Sequence, residues 1–243
     1  MTPCAVIPVY NHEQAVGRVL ATVRAAKLSC ILVDDGSSPE CARVLDVLAA
    51  ADPEVRLERL PSNRGKGAAV SAGLRAAKAA GFTHALQIDA DGQHALEDIP
   101  RFIAAAATRP DALICGRPMF DQSMPASRRY GRWLTHVLVW VWTLSFDIRD
   151  SMCGFRLYPL AATVALLDSA RLGQRMDFDV EVLVRLHWRG VRMEWLDTRV
   201  SYPQDGISHY DVLRDNARMV RLHVRLFFLF IPRLPVLLWR KLN

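Results

Sequence analysis

CAVIPVYN (4–11), CILVDDG (30–36) and HALQIDAD (84–91) share one pattern, a short apolar β run that stops abruptly on polar groups. Between them the hydrophobic period changes. Val16, Val19, Leu20 and Val23 recur at helical spacing, so residues 13–27 read as a helix. Ser38-Pro39-Glu40 is a helix start that leads into a helix over 41–51. VRLERL (55–60) alternates like a strand, PSNRGKG (61–67) is a loop, and an Ala-rich helix follows over 67–80. Pro100 lies near the start of another helix that runs to about Ala107, and DALICGRP (111–118) is a further strand. Strands that alternate with helices imply right-handed βαβ units and a mainly parallel sheet. Ligands of such sheets gather beyond the carboxyl ends of the strands, where Tyr10-Asn11, Asp34-Asp35 and Asp89-Ala90-Asp91 fall.

Asp89 and Asp91 raise a question of charge. A carboxylate at the end of a buried strand is costly without a counter-charge. In an extended chain, residues i and i+2 point to one side, roughly 6–7 Å apart. The pair could then face one hard divalent cation together with phosphate oxygens. The other reading is a turn, since Asp91-Gly92 is a common turn pair.

The bulk numbers narrow the choice of partners. The chain has 243 residues, 51% of them apolar, and a formal net charge of +6. Disorder is excluded by the apolar content, and the positive balance fits nucleotides or an acidic membrane surface. Five cysteines (Cys4, Cys30, Cys41, Cys115, Cys153) are widely spaced and form no C-x-x-C, so they read as reduced thiols of a cytoplasmic protein. His and Cys never cluster at zinc-ligand spacing. Met1 leads into a strand within a few residues, which leaves no room for a signal peptide.

The motifs IPVYNH, VDDGSS, NRGKGAAVSAG and DADGQH occur in this order at strand ends. In them the chain resembles the family-2 glycosyltransferases, inverting enzymes with a GT-A fold, and most closely the dolichyl- or polyprenyl-phosphate mannose and glucose synthase branch. The resemblance runs over about residues 4–210. It implies a nucleotide-diphosphate sugar donor, UDP- or GDP-linked. Pro8, Tyr10 and Asn11 match the motif that borders the base, and Glu13 is the first acid after it. Asp35 matches the residue that reads base or ribose. Asp89, Asp91 and Gln93 match D-x-D-x-Q, which holds Mg²⁺ or Mn²⁺ against the diphosphate. Arg117 in CGRP matches a basic position near the phosphates. Lys66 reads either as a phosphate contact or as solvated surface. DSMCGFRLYP (150–159) matches D-x-x-x-G-F-R, so Arg156 meets phosphate or pairs with Asp150.

Candidate catalytic residues are Asp91, with Asp179 and Glu181 from an element resembling the acceptor-side F-D-x-E. Acids at a helix start also complement its dipole, so a structural reading stands beside the catalytic one. A hydroxyl acceptor needs a base, whereas a lipid phosphate is already ionised. In YPQDGISHY (202–210), His209 stands where the polyprenyl-phosphate branch often has Lys.

Residues 211–243 carry seven Arg or Lys against two Asp, a net +5, interleaved with large apolar residues. This reads as a membrane-associating segment appended to a 1–210 catalytic domain. The other reading is a helix packed on the domain. The run 133–148, rich in Trp, shapes a lipid groove or is a buried helix. The combined expectation is a metal-dependent hexosyltransferase at the cytoplasmic membrane face, acting on a lipid-linked or amphiphilic acceptor, with no nucleic-acid partner. Two alternatives are a nucleotidyltransferase and a catalytically silent scaffold on the same fold.

Overall fold

The structure, a computed structural model, describes residues 1–119, 126–200 and 212–242, with the side chains of 126–130, 212 and 213 excepted. The elements in chain order are β1 (Pro3–Val9), α1 (Glu13–Ala25), β2 (Ser29–Asp34), α2 (Pro39–Ala51), β3 (Val55–Arg59), α3 (Lys66–Ala79), β4 (His84–Gln87) and α4 (Ile99–Thr108). They continue with β5 (Leu113–Met119), α5 (Ala126–Thr143), β6 (Arg156–Pro159), α6 (Leu160–Ser169), α7 (Asp177–Trp188), β7 (Met193–Arg199), α8 (Val212–Phe230) and α9 (Leu234–Leu242). The alternation expected of the first half is present.

Among the described residues the strands form one seven-stranded sheet, in the order β3-β2-β1-β4-β6-β5-β7. Its pairs are parallel except where β6 lies antiparallel between β4 and β5. Strand β6 comes from the D-x-x-x-G-F-R region, which the sequence pattern had not marked as a strand.

The sheet has a core on each face because side chains alternate along a strand. Cys4 and Val6 of β1, with Ile31 and Val33 of β2, join the cluster under α3, α6 and α7. Ala5, Ile7, Cys30 and Leu32 join the cluster under α1, α2 and α4. Helix α3 lies close on its face of the sheet at Gly73. A Cβ there would stand 2.4 Å from Val6 Cγ1 and 2.9 Å from Val33 Cγ2. This approach sets the N-terminus of α3, with Lys66, at the carboxyl edge of the sheet.

All five cysteines are free and buried. Helix α8 packs against α5 and α7, and its Leu222 and Leu226, with Leu237 of α9, are buried. Phe227 and Phe228 of α8 and Trp239 of α9 are exposed. The tail is therefore packed along one side and open along the other.

Asp150 ties α5 to the turn ahead of β6. It is ion-paired with Arg132, lies 3.6 Å from His136 Nε2, and accepts the backbone N–H groups of Met152 and Cys153 at 2.9 and 2.7 Å. Burial pushes its carboxyl up, but His136 and Arg132 outweigh burial and hold it well below the usual carboxylate range. Because the folded pKa lies below the unfolded value near ~3.9, the stabilisation is present above about pH 4 and is lost as pH falls through the folded value. Asp150→Asn keeps acceptors for the two amides but leaves Arg132 unpaired. It is expected to cost about 3 kcal/mol at pH 7, and denaturant melts should show the deficit shrinking below about pH 4.

Candidate active site

Three turns meet at the carboxyl edge of β1, β2 and β4. Asn11 follows β1 with a φ of +53°. Its side-chain oxygen accepts the Ser38 N–H at 2.8 Å, and its own N–H donates to Ser37 Oγ at 3.2 Å. The residue thus pins the turn after β2. Asp35 uses both carboxylate oxygens on the backbone of the NRGKG loop, accepting Arg64 N–H at 2.7 Å and Gly65 N–H at 2.8 Å. Burial pushes the Asp35 pKa up against these bonds. Gly36 makes the contact possible: its φ is +69°, and a Cβ would lie 2.5 Å from the Ser62 and Asn63 backbone. Pro8 is buried inside β1, while Tyr10 is half-buried at its end. Glu13 opens α1, and its buried Oε2 accepts no hydrogen bond among the described residues.

Lys66, the first residue of α3, supplies the counter-charge that the acidic strand end demands. Its Nζ lies 2.8 Å from both carboxylate oxygens of Asp89 and 3.2 Å from Asp179 Oδ2. Burial works against its charge, but Asp179 and Asp89 outweigh that and push its pKa up. Burial likewise pushes Asp89 up, and Lys66 and His94 more than reverse it. All three groups are therefore held ionised. His94 sits 3.8 Å from Asp89 Oδ2 and stacks on Phe155 with ring centroids 5.0 Å apart. Its burial lowers its pKa, so it stands there neutral at pH 7.

A buried polar layer positions this cluster from behind. Gln87 Nε2 donates to Asp179 Oδ1 at 3.3 Å, and Tyr158 Oη donates to Gln87 Oε1 at 3.1 Å. Arg156, 1% exposed, donates to the Asp179 carbonyl at 2.7 Å and the Ser151 carbonyl at 3.0 Å. Gly154 leaves room in front: a Cβ would lie 2.7 Å from Gln87 Nε2 and 2.8 Å from Lys66 Nζ. Gln87, His94, Gly154 and Tyr158 were not singled out in the sequence. Gln87 had a signal, as the polar residue that interrupts an otherwise apolar strand.

Several expectations need correction. β4 ends at Gln87, so Asp89 and Asp91 do not sit on extended chain. They lie in a turn, where Asp91 Oδ1 accepts the Gln93 N–H at 3.0 Å and Gly92 has a φ of +73°. Arg156 meets neither surface phosphate nor Asp150, because it is enclosed beside Asp179. Lys66 is not solvated surface. Arg117 forms a bidentate pair with Asp197 at 2.5 and 2.7 Å, because the β5–β7 register sets the two residues opposite each other. Glu181 is not placed to act as a base. It is 0% exposed, accepts the Gly173 N–H and Arg185 Nε at 2.7 Å, and pairs with Arg225 of α8. Its carboxylate anchors α8 to α7. The segment YPQDGISHY with His209 lies outside the described residues.

The donor chemistry of the acidic turn suits a hard divalent cation. Asp89 Oδ1 is buried and accepts no hydrogen bond despite the nearby ammonium. Asp91 keeps one oxygen clear of its turn bond. No cluster of three or more His, Cys, Asp or Glu at metal distance occurs among the described residues. A cation here would therefore draw on one or two carboxylates and on substrate oxygens, which is how Mg²⁺ is usually held.

A family model for glycosyl transferase family 2 matches residues 4–168. The chain belongs to glycosyl transferase family 2. Among relatives of this family-2 enzyme, an undecaprenyl-phosphate mannosyltransferase of Micrococcus luteus is 28% identical over 198 residues, spanning 79% of this chain and 81% of that one. A dolichyl-phosphate beta-glucosyltransferase of Dictyostelium discoideum is 26% identical over 214 residues, spanning 83% of this chain and 63% of that one. Glucosyl-3-phosphoglycerate synthase of Mycobacterium tuberculosis, solved with Mn²⁺, UDP-glucose and phosphoglyceric acid, has a TM-score of 0.67 at 13% identity over 94% of this chain and 79% of that one. That likeness is one of fold, and the fold is GT-A. The family-2 chain is thus a glycosyltransferase, and the nucleotidyltransferase and silent-scaffold alternatives give way.

Lys66→Met keeps the stem of the side chain and removes the ammonium. It leaves two buried carboxylates unpaired, at an expected cost of about 3–5 kcal/mol. The freed carboxylates then have raised pKa values in the folded state, so the deficit should grow with rising pH. Denaturant melts at pH 5 and pH 8 read both the size and the sign.

Proposed function

We propose that this family-2 enzyme transfers a hexose, with inversion, from a UDP- or GDP-linked donor to a lipid phosphate at the cytoplasmic face of a membrane. The observation that carries the reading is the Lys66-centred cluster of Asp89 and Asp179 beside the Asp91 turn. It sits at the edge of the sheet where the turns of β1 and β2 can border a nucleotide. Asp89 and Asp91, with Gln93 beside them, are the residues that would hold Mg²⁺ or Mn²⁺. When bound, that ion supplies positive charge to the diphosphate leaving group as negative charge grows on it. Lys66 stands next to the same oxygens and can pair with phosphate in exchange for Asp89. Asp35 holds the NRGKG loop in shape beside the base, and Asn11 and Tyr10 border it.

The acceptor follows from which acids are free. Glu181 is internal and paired with arginines, and Asp179 is paired with Lys66. Neither expected base is available to take a proton from a hydroxyl. A phosphate acceptor needs none: one of its oxygen lone pairs forms the bond to the anomeric carbon, and the pair of the breaking C–O bond leaves on the nucleotide diphosphate. The printed names of the Micrococcus and Dictyostelium relatives, which specify polyprenyl-type phosphates, support the same reading.

Membrane association is supported by the open side of α8 and α9. Arg214–Leu242 is 29 residues long and apolar enough, by length and composition, to cross a membrane. Its exposed Phe228 and Trp239, with Trp133 of α5, alternate with arginines in a way that suits a lipid interface.

Asp91→Asn is expected to lower transfer from UDP- or GDP-hexose to an isoprenyl phosphate by on the order of 10²-fold or more, with an unchanged circular-dichroism spectrum. Full activity in that variant would remove Asp91 from the site. Phe228→Glu with Trp239→Glu should reduce cosedimentation with phosphatidylglycerol vesicles while leaving nucleotide binding intact; undiminished sedimentation refutes docking through this side. Removing 224–243 is a poorer test, since it takes away buried Leu226 and Leu237 and the Arg225 partner of Glu181.

A further inference from the structure

A cleft of about 490 Å³ opens between the loop ahead of α3, the loop ahead of α7 and one face of α8. Arg64, Arg175, Arg218, Arg221 and Arg225 line it, against the single carboxylate of Asp177. The three α8 arginines share a face because they recur at i, i+3 and i+7. Two of the five have acidic partners of their own: Arg225 holds Glu181, and Arg218 lies 2.5 Å from Asp215. Arg64, Arg175 and Arg221 make no ion pair among the described residues. Asp35 faces Arg175 but uses both its oxygens on the Arg64 and Gly65 amides.

The junction is built rather than incidental. Gly65 has a φ of +101°, and a Cβ on it would lie 2.4 Å from Arg175 Cγ, so only glycine lets Arg175 pass. The Ala68 N–H donates to the Gln174 carbonyl at 2.9 Å, which locks the two loops together. Arg64 and Arg175 each stand two residues ahead of a helix, so the positive ends of α3 and α7 open toward the same space. Gathered guanidinium groups repel one another unless an anion sits among them, and their planar forks match phosphate oxygens.

The cleft adjoins the reaction centre through the chain itself. Arg64 is two residues from Lys66, and Asp177 is two residues from Asp179. Arg221 also borders the open apolar side of α8, since Val224 and Phe228 follow it at i+3 and i+7 and are 53% and 65% exposed. We propose that this cleft is the phosphate subsite of the acceptor, holding an anionic phosphate headgroup whose hydrocarbon chain leaves across Arg221, Val224 and Phe228. The assignment rests on the lipid-phosphate reading above for its substrate, and names where that phosphate sits.

The test uses the full chain in detergent and isothermal titration with farnesyl phosphate, farnesol and inorganic phosphate, alongside UDP and GDP with Mn²⁺. The unmodified protein should bind farnesyl phosphate saturably and farnesol not at all. Arg221→Gln and Arg175→Gln should each weaken farnesyl phosphate at least tenfold and leave nucleotide affinity unchanged. Arg221→Lys should recover part of the loss, and in transfer assays KM for the lipid should rise more than kcat falls. Parallel loss of nucleotide affinity overturns the proposal, because the cleft then belongs to the donor. Unaltered farnesyl phosphate affinity in both variants overturns it as well. Inorganic phosphate binding as tightly as farnesyl phosphate removes the lipid half and leaves a free-phosphate site. An unmodified protein that binds nucleotide but no farnesyl phosphate refutes the lipid acceptor itself, a separate failure from misplacing its subsite.

Discussion

The ammonium of Lys66 holds together residues from three distant parts of the chain. Asp89 arrives from the turn after β4, Asp179 from the first turn of α7, and Lys66 from the start of α3. Two carboxylates facing one lysine leave the cluster one negative charge in excess. In a low-dielectric setting that arrangement persists only with tight geometry and further hydrogen bonds. Gln87, Tyr158 and Arg156 supply those bonds from the interior, and Gly154 keeps a side chain out of the space in front. The same excess charge explains why the turn suits a cation and an anionic donor together: each neutralises what the other adds.

Helix α7 joins this centre to the outer helices. Asp179 and Glu181 are two residues apart, and a helix turns about 200° over that interval. One carboxylate therefore faces Lys66 while the other faces Arg185 and Arg225. Ten residues of α7 are buried, so it cannot shift without disturbing both contacts. The placement of α8, with its open apolar side and its arginine face, is thereby tied to the position of Asp179. A lipid surface and a sugar-transfer centre can share one rigid element in this way without any moving part.

The legible part of the site was the part written in local pattern. Alternating periods of hydrophobicity gave the βαβ order, and polar stops after apolar runs located the carboxyl edge, because a strand end and its turn are neighbours in the chain. Asn11, Asp35, Asp89 and Asp91 all lie there. The illegible part was pairing at long range. Glu181 and Asp179 look alike in the sequence, two acids near a helix start. Their roles part only when α8 brings Arg225 to one and α3 brings Lys66 to the other. Arg117 and Arg156 looked equally fit for phosphate until sheet register set one against Asp197 and burial enclosed the other.

The sequence by itself determined the layer order, the parallel character of the sheet and the edge at which chemistry is placed, since periodicity and turn residues act within a few positions of one another. Only the tertiary structure decided that β6 enters antiparallel, that the counter-charge of the acidic turn is Lys66, and that five arginines from three segments face one cleft. Those facts depend on distances between residues remote in the chain, and such distances are set by how helices seat on a sheet, as Gly73 against Val6 shows, and not by any local preference.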